Sequence, residues 1–365
     1  MIGGRQYNLI PEGGNITILL ADISGDDSDN GGIVGYFYPG DTIVDSTFSN
    51  GRVMFVIDAP MYANPSDTGR DADTTWAVSD YWPQTVYSTL AHEFQHMIHW
   101  YQKAVVRGGN YLAEETWVDE LCSMQVEDLL SDRLGVPGPR GVDPADGSAG
   151  AAGNQDGRMV DYNVWPEISP GDWATVSDDD VLYWYGWAYS FGAYLTRNYG
   201  GAAFVRSVVQ SAHVDGVAIT AAANAFSGRN DTLRDLLRRW GAAVLLSGRT
   251  DAPEGYRLNT GTSFLSTLDG VEYRLGSINA YNYIVENGID SDGDDSGDTD
   301  LVGPWLYDPG DLLSEAYNPP FGGDSNAFVL LGTMPGAASW RLEVPEGLVA
   351  RSEEHTSELQ SRITI

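Results

Sequence analysis

Cysteine and lysine are almost missing from this chain. Cys122 stands alone, so no disulfide can form within it. Lys103 is the one lysine against 19 arginines, while aspartate and glutamate total 52, and the 365 residues carry a net charge of −32. A field of that sign repels nucleic acid and anionic membranes, so neither is an expected partner. No apolar run approaches the ~20 residues a membrane-spanning helix needs. Met1-Ile2-Gly3-Gly4 has neither a basic segment nor an apolar run, so no signal peptide is expected within the chain. Histidine is scarce too: there are five, and three of them fall between positions 92 and 99.

Those three lie in Ser88–Trp100, STLAHEFQHMIHW, which contains the pattern H-E-x-x-H as His92, Glu93 and His96. Leu90, Phe94, Met97, Ile98 and Tyr101 recur at helical spacing around it. On a helix, residues four apart share a face, so His92 and His96 can offer two imidazoles to one Zn²⁺. Glu93 then stands where it can take a proton from a metal-activated water. One zincin class continues H-E-x-x-H-x-x-G-x-x-H, but positions 99 and 102 hold His99 and Gln102, which excludes it. The other class takes a glutamate from a later helix. Glu114, Glu115, Glu120 and Glu127 are available, in a segment where Val118, Leu121, Val126, Leu129 and Leu130 keep helical spacing. Spacing alone favours Glu115.

The run Trp117-Val118-Asp119-Glu120 resembles the W-L-N-E of gluzincin peptidases. Together with L-A-H-E-F-Q-H-M-I, it is most similar to the hyicolysin-type zinc metallopeptidases. The resemblance is specific over about residues 85–130 and weaker to about 245. It implies Glu120 as the third zinc ligand. Asp119 or His99 could orient the ligands, and Glu127, seven residues on, falls on the same helix face as Glu120. The resemblance also implies peptide hydrolysis, protein or peptide substrates, and an exported enzyme whose natural start precedes Met1. Tyr189-Ser190-Phe191-Gly192 resembles the Y-x-x-G of some gluzincin aminopeptidases, which implies an oxyanion-binding role for Tyr189. The loop between the ligand helices carries no amine-binding signature, which favours an endopeptidase. A zincin-fold adhesive surface protein with little activity is the alternative, and the presence of Glu93 weighs against it.

The predicted fold class is α+β, zincin-like. Strands are expected at Asn15–Ile23, Ile33–Tyr38 and Arg52–Asp58, the last central because it is mostly apolar. This mixed sheet and the H-E-x-x-H helix form an N-terminal lobe over 1–108, followed by a helical lobe over 109–250. Within the latter, Gly135–Gly171 reads as a long loop, and Val181–Tyr199, Ala202–Ala212 and Leu233–Leu246 read as helices. His213, at a helix end, reads as structural. From residue 255 to 350 short β-prone runs such as Ala327–Leu331 and Trp340–Val344 suggest a β-rich accessory module. Ca²⁺ could bind the loop with Asp26, Asp27 and Asp29 or the run Asp290–Asp300, although solvated acidic turns are the simpler reading. Arg351–Ser361 reads like a translated sequencing adapter, so residues 351–365, with His355, are set aside.

Overall fold

The computed structural model describes residues 7–9, 14–23, 32–44, 46–62, 81–107, 114–144, 150, 152–175, 180–289, 297, 299–308, 324–330, 351–352 and 363–364. The acidic stretches 26–29 and 290–296, the run 340–344 and nearly all of the adapter-like tail lie outside them.

The architecture is mixed α+β. The amino-terminal sheet has the order β1 (Thr17–Ala21), β3 (Met54–Asp58), β2 (Gly35–Tyr36). β3 is the central strand and is buried throughout, as its apolar run predicts. It pairs in parallel with β1 and antiparallel with β2. The chain turns directly from β3 into the short helix α1 (Ala59–Tyr62), where Asp58 Oδ2 accepts the Met61 N–H at 3.0 Å. Helix α2 (Tyr81–Trp100) carries the H-E-x-x-H pattern and starts about two turns before the stretch that the periodicity marks. Pro83 sits in the first turn, where a helix tolerates a missing N–H. α2 then widens into a π-helical segment, Tyr101–Val106.

Helix α3 (Thr116–Leu134) runs through the middle of the molecule and buries side chains on nearly every face. It ends at Gly135, which adopts φ 69° and returns its N–H to Ser131. Residues expected as one long loop contain instead a short helix, α4 (Arg158–Val164). At seven residues it is too short to stand alone and is held by contact with α5 (Val181–Asn198). Two glycines make α5 a hub: a Cβ at Gly192 would meet Leu121 Cγ at 2.8 Å, and one at Gly186 would meet the Tyr162 backbone N at 2.6 Å. Aromatic bulk and glycine thus alternate so that α5 fits closely against both α3 and α4. Helices α6 (Ala202–Val209), α7 (Asp215–Ser227) and α8 (Leu233–Leu245) complete the helical layer.

The chain continues through the hairpin β4 (Phe264–Leu268) and β5 (Val271–Leu275), then the pair β6 (Ile284–Ile289) and β7 (Thr299–Val302). Asp269 and Gly270 both take positive φ, the two-residue turn this hairpin requires. The boundary expected near residue 255 is crossed by packing. Leu258, Leu275, Ile278, Ala280, Tyr283 and Phe328 share one core with Leu121 and Phe191. Arg197 Nε also donates to the Gly276 carbonyl at 2.9 Å. The β-rich segment therefore continues the helical lobe instead of standing apart from it.

Candidate metal centre

Helices α2 and α3 face each other, and their facing side chains are polar where a core would be apolar. His92 Nε2 lies 3.1 Å from Glu120 Oε2, and His96 Nε2 lies 3.5 Å from the same oxygen. One donor atom from each of these three residues falls within 4.8 Å of the others. A tetrahedral ion about 2.0–2.2 Å from each ligand keeps its donors roughly 3.3–3.5 Å apart, so this set has the right spacing. Two imidazole nitrogens and a carboxylate are also a donor set that zinc takes.

The far nitrogen of each imidazole is already engaged. His92 Nδ1 donates to Glu127 Oε1 at 2.7 Å, and Ser88 Oγ donates to Glu127 Oε2 at 2.5 Å. His96 Nδ1 lies 3.0 Å from Asp119 Oδ2, with Ser123 Oγ 3.2 Å away. Each contact leaves Nε2 as the nitrogen directed at Glu120, the usual way a carboxylate fixes a ligating histidine. Asp119 is braced in turn by His99, whose Nδ1 is 2.9 Å from Asp119 Oδ1. His99 Nε2 meets Glu114 Oε2 at 3.1 Å, and Lys103 Nζ reaches that same oxygen at 3.0 Å. Lys103 is buried and also donates to the carbonyls of Val208 at 3.1 Å and His213 at 2.7 Å. The π-helical segment places the sole lysine there, tying the metal helix to the ends of α6 and α7.

Carboxylates outnumber the cations that line this centre, and the titration of its groups reflects that. Burial alone would lower the pKa of His92, yet Glu120 and then Glu127 override it and push it up to about 10. His96 is likewise raised, with burial opposing and Asp119 and Glu120 prevailing. Glu120 is pulled down to about 2, because His96 and His92 outweigh its burial. Glu93 moves the other way. Burial raises its pKa, and the nearby imidazoles and the Phe37 N–H only partly offset that. Glu93 is thus a buried carboxyl that holds its proton more firmly than usual beside the two histidines, which suits a group that exchanges protons. The Phe37 N–H follows directly on β2, so that edge strand borders the centre.

The model of the peptidase M30 family matches residues 2–280. The chain belongs to the peptidase M30 family. M30, the hyicolysin family, comprises metallopeptidases, and the His92, His96 and Glu120 cluster lies inside the matched region. Protein or peptide substrates follow from that membership. No curated protein matches the chain. No helix among the described residues is long and apolar enough to cross a membrane.

In this M30 peptidase His92, His96 and Glu120 lie together, while Glu115 and Tyr189 lie apart from them. Glu115, which spacing alone favours, stands at the start of α3 with its carboxylate accepting the Trp117 Nε1–H at 2.5 Å. Tyr189 faces another part of the core. It is fully buried, and its hydroxyl donates to Asp128 Oδ2 at 3.2 Å, an oxygen shared with Arg197 Nη2 at 2.9 Å. Gly192, the glycine of its Y-x-x-G, is there for close contact with α3. Tyr185, one turn earlier, lies close enough to the centre for Glu120 to act on its hydroxyl. Burial first, then Glu120, raises its pKa, so the hydroxyl keeps its proton and can donate. Helical spacing puts positions 185 and 189 on one face, but which end of that face meets α2 is decided only by packing.

Proposed function

We propose that this M30 peptidase is a zinc endopeptidase of zincin architecture, with His92, His96 and Glu120 holding the ion. The observation that carries this is the convergence of those three donors, with Nδ1 of each histidine engaged by a separate carboxylate of α3. When bound, zinc supplies Lewis acidity that activates water and polarises the scissile carbonyl. Glu93 accepts the proton of the attacking water and returns it to the leaving amine. Tyr185 donates its hydroxyl hydrogen to the oxyanion that forms on the carbonyl oxygen. Glu127 and Asp119 hold the two imidazoles in the tautomer that turns Nε2 inward, and Ser88 and His99 hold those carboxylates. The endopeptidase reading is supported by β2, an edge strand beside Glu93 against which an extended chain can lie and continue in both directions. Action outside the cell rests on the resemblance to hyicolysin-type enzymes alone. The test combines metal analysis with casein proteolysis, with and without chelator. One zinc per chain and chelator-sensitive cleavage are expected, and Glu93→Gln is expected to keep the zinc and lose turnover. Proteolysis that survives complete removal of metal contradicts the reading.

A further inference from the structure

The wall of the centre that carries Tyr185 also carries a guanidinium for which hydrolysis itself has no use. Arg158 opens α4, and its Cζ lies 5.3 Å from the centre of the Tyr185 ring. Trp173 meets the same ring edge-on, with centroids 5.0 Å apart. Tyr185 in turn reaches Glu120, so one aromatic ring separates Arg158 from a metal ligand. Arg158, Trp173 and Tyr185 are all partly open to solvent, unlike Tyr189 one turn away.

Backbone contacts fix this arrangement. Gly157, at φ 88°, lies so close to Arg140 that a Cβ would strike its carbonyl carbon at 2.6 Å, and Gly186 beside Tyr185 packs onto Tyr162. The start of α4 is therefore locked onto α5 where Arg158 and Tyr185 meet. Arg158 Nη1 donates to Asp161 Oδ2 at 3.2 Å. That bond holds the fork's direction and uses one of its five N–H donors. The other charges that act on Tyr185 are negative, Glu120 and Glu93, within a chain of net charge −32. Apart from the metal itself, Arg158 is the cation that the described residues place beside Tyr185 for a carboxylate to meet.

Resting on the peptidase reading above, we propose that Arg158 is a specificity-determining residue that binds a carboxylate of the peptide substrate close to the scissile bond. The carboxylate is that of an aspartate or glutamate side chain or of the peptide's terminus. Trp173 and Tyr185 form the apolar wall along which the carbon chain leading to it lies. Charge-assisted pairing to a guanidinium gives the discrimination, because an isosteric amide offers Arg158 only a neutral acceptor.

The experiment measures binding apart from turnover. Zinc-loaded Glu93→Gln protein is titrated with peptide series in which one glutamate is moved through the positions flanking a known cleavage site. Each peptide is paired with its glutamine counterpart and made with a free or amidated carboxyl terminus. At one register the acidic peptide is expected to bind about tenfold tighter than its amide. Adding Arg158→Gln should bring the pair to within about threefold, and Arg158→Lys should restore part of the difference. The neutral peptide should bind equally to all three proteins. The side-chain and terminal arms identify which carboxylate is read. Equal binding of acid and amide at every register overturns the proposal, as does a loss in Arg158→Gln that is the same for charged and neutral peptides. Failure of the peptidase reading shows separately, as wild-type protein that holds zinc and cleaves none of these peptides.

Discussion

Neighbouring residues on α3, Glu127 and Asp128, look into two different buried charge clusters. Consecutive helix positions diverge by about 100°, so the two side chains leave the helix in separate directions. Glu127 meets His92 at 2.7 Å, whereas Asp128 meets Arg197 Nη2 at 2.9 Å. Helix α5 repeats the division, with Tyr185 turned to the first cluster and Tyr189 to the second. The second cluster contains its own permanent cation, and both partners are essentially unexposed. The first gathers Asp119, Glu120 and Glu127 around imidazoles that carry charge only when protonated. One cluster is complete as folded; the other has the donor set for a cation from outside. Burying charge costs several kcal/mol per ion unless it is matched, so the two differ in what their removal does.

The largest contrast is between Glu120 and Asp128. Glu120→Ala removes one of the three proposed zinc ligands and should take zinc from one per chain to near none, while Glu115→Ala should leave it unchanged. Asp128→Ala should keep zinc in the folded protein but cost about 3–5 kcal/mol of stability, since it strands the Arg197 guanidinium in the core. Mass spectrometry for zinc and denaturant melts for stability separate the two. Zinc lost from the Glu115 variant and retained by the Glu120 variant reverses the ligand assignment.

The tyrosines sharpen the same comparison at smaller scale. Tyr185→Phe should lower kcat by about 10²–10³-fold with KM nearly constant, because an oxyanion donor acts mainly in the transition state. Tyr189→Phe should leave kcat unchanged and lose about 1.5–3 kcal/mol, the worth of a hydrogen bond to a charged group. A kcat defect confined to Tyr189→Phe would restore the role first expected of it.

That exchange marks the limit of what the linear sequence carries. His92, Glu93, His96 and Glu120 were legible because each rests on local geometry: four residues make a helical turn, and a W-x-x-E run aims its glutamate by its own backbone. β3 was legible as the central strand because a strand buried on both faces must be apolar throughout. Choosing between Tyr185 and Tyr189 needed the placement of α2 against α5, which no window of sequence contains. The same holds for Lys103 and for Arg158. Lys103 meets partners more than 100 positions away, and Arg158 sits on a helix whose seven residues announce little periodicity. Packing across position 255 is a further case. Composition does shift there, but Leu258, Leu275 and Tyr283 fill a core begun by α3 and α5.

The smallest expected effect is the pH dependence of the metal-free protein, and its sign follows from the open cluster. His92 rises from an ordinary value of 6.5 to about 10 on folding, driven by Glu120 and Glu127 against the opposing effect of burial. A raised pKa contributes stability that is fully present below 6.5 and is lost as pH climbs through about 10. Glu120, lowered from 4.5 to about 2, contributes above 4.5 and loses its share as pH falls through about 2. The metal-free protein should therefore be most stable between about pH 4.5 and 6.5 and weaken steadily towards pH 10. The general repulsion of an acidic chain also grows with pH, but it acts on both forms. The difference in Tm between zinc-loaded and chelated protein isolates the histidine contribution. Zinc takes the place of the imidazole protons, so this difference should widen from pH 6.5 to pH 10. Calorimetric zinc titrations at pH 7, in buffers of different ionisation enthalpy, should show protons released on binding. A Tm difference that stays constant across that range, with no proton release, would mean that His92 and His96 are already neutral in the metal-free fold. The carboxylates around them would then be engaged elsewhere, and the contrast with the Arg197 cluster would no longer hold.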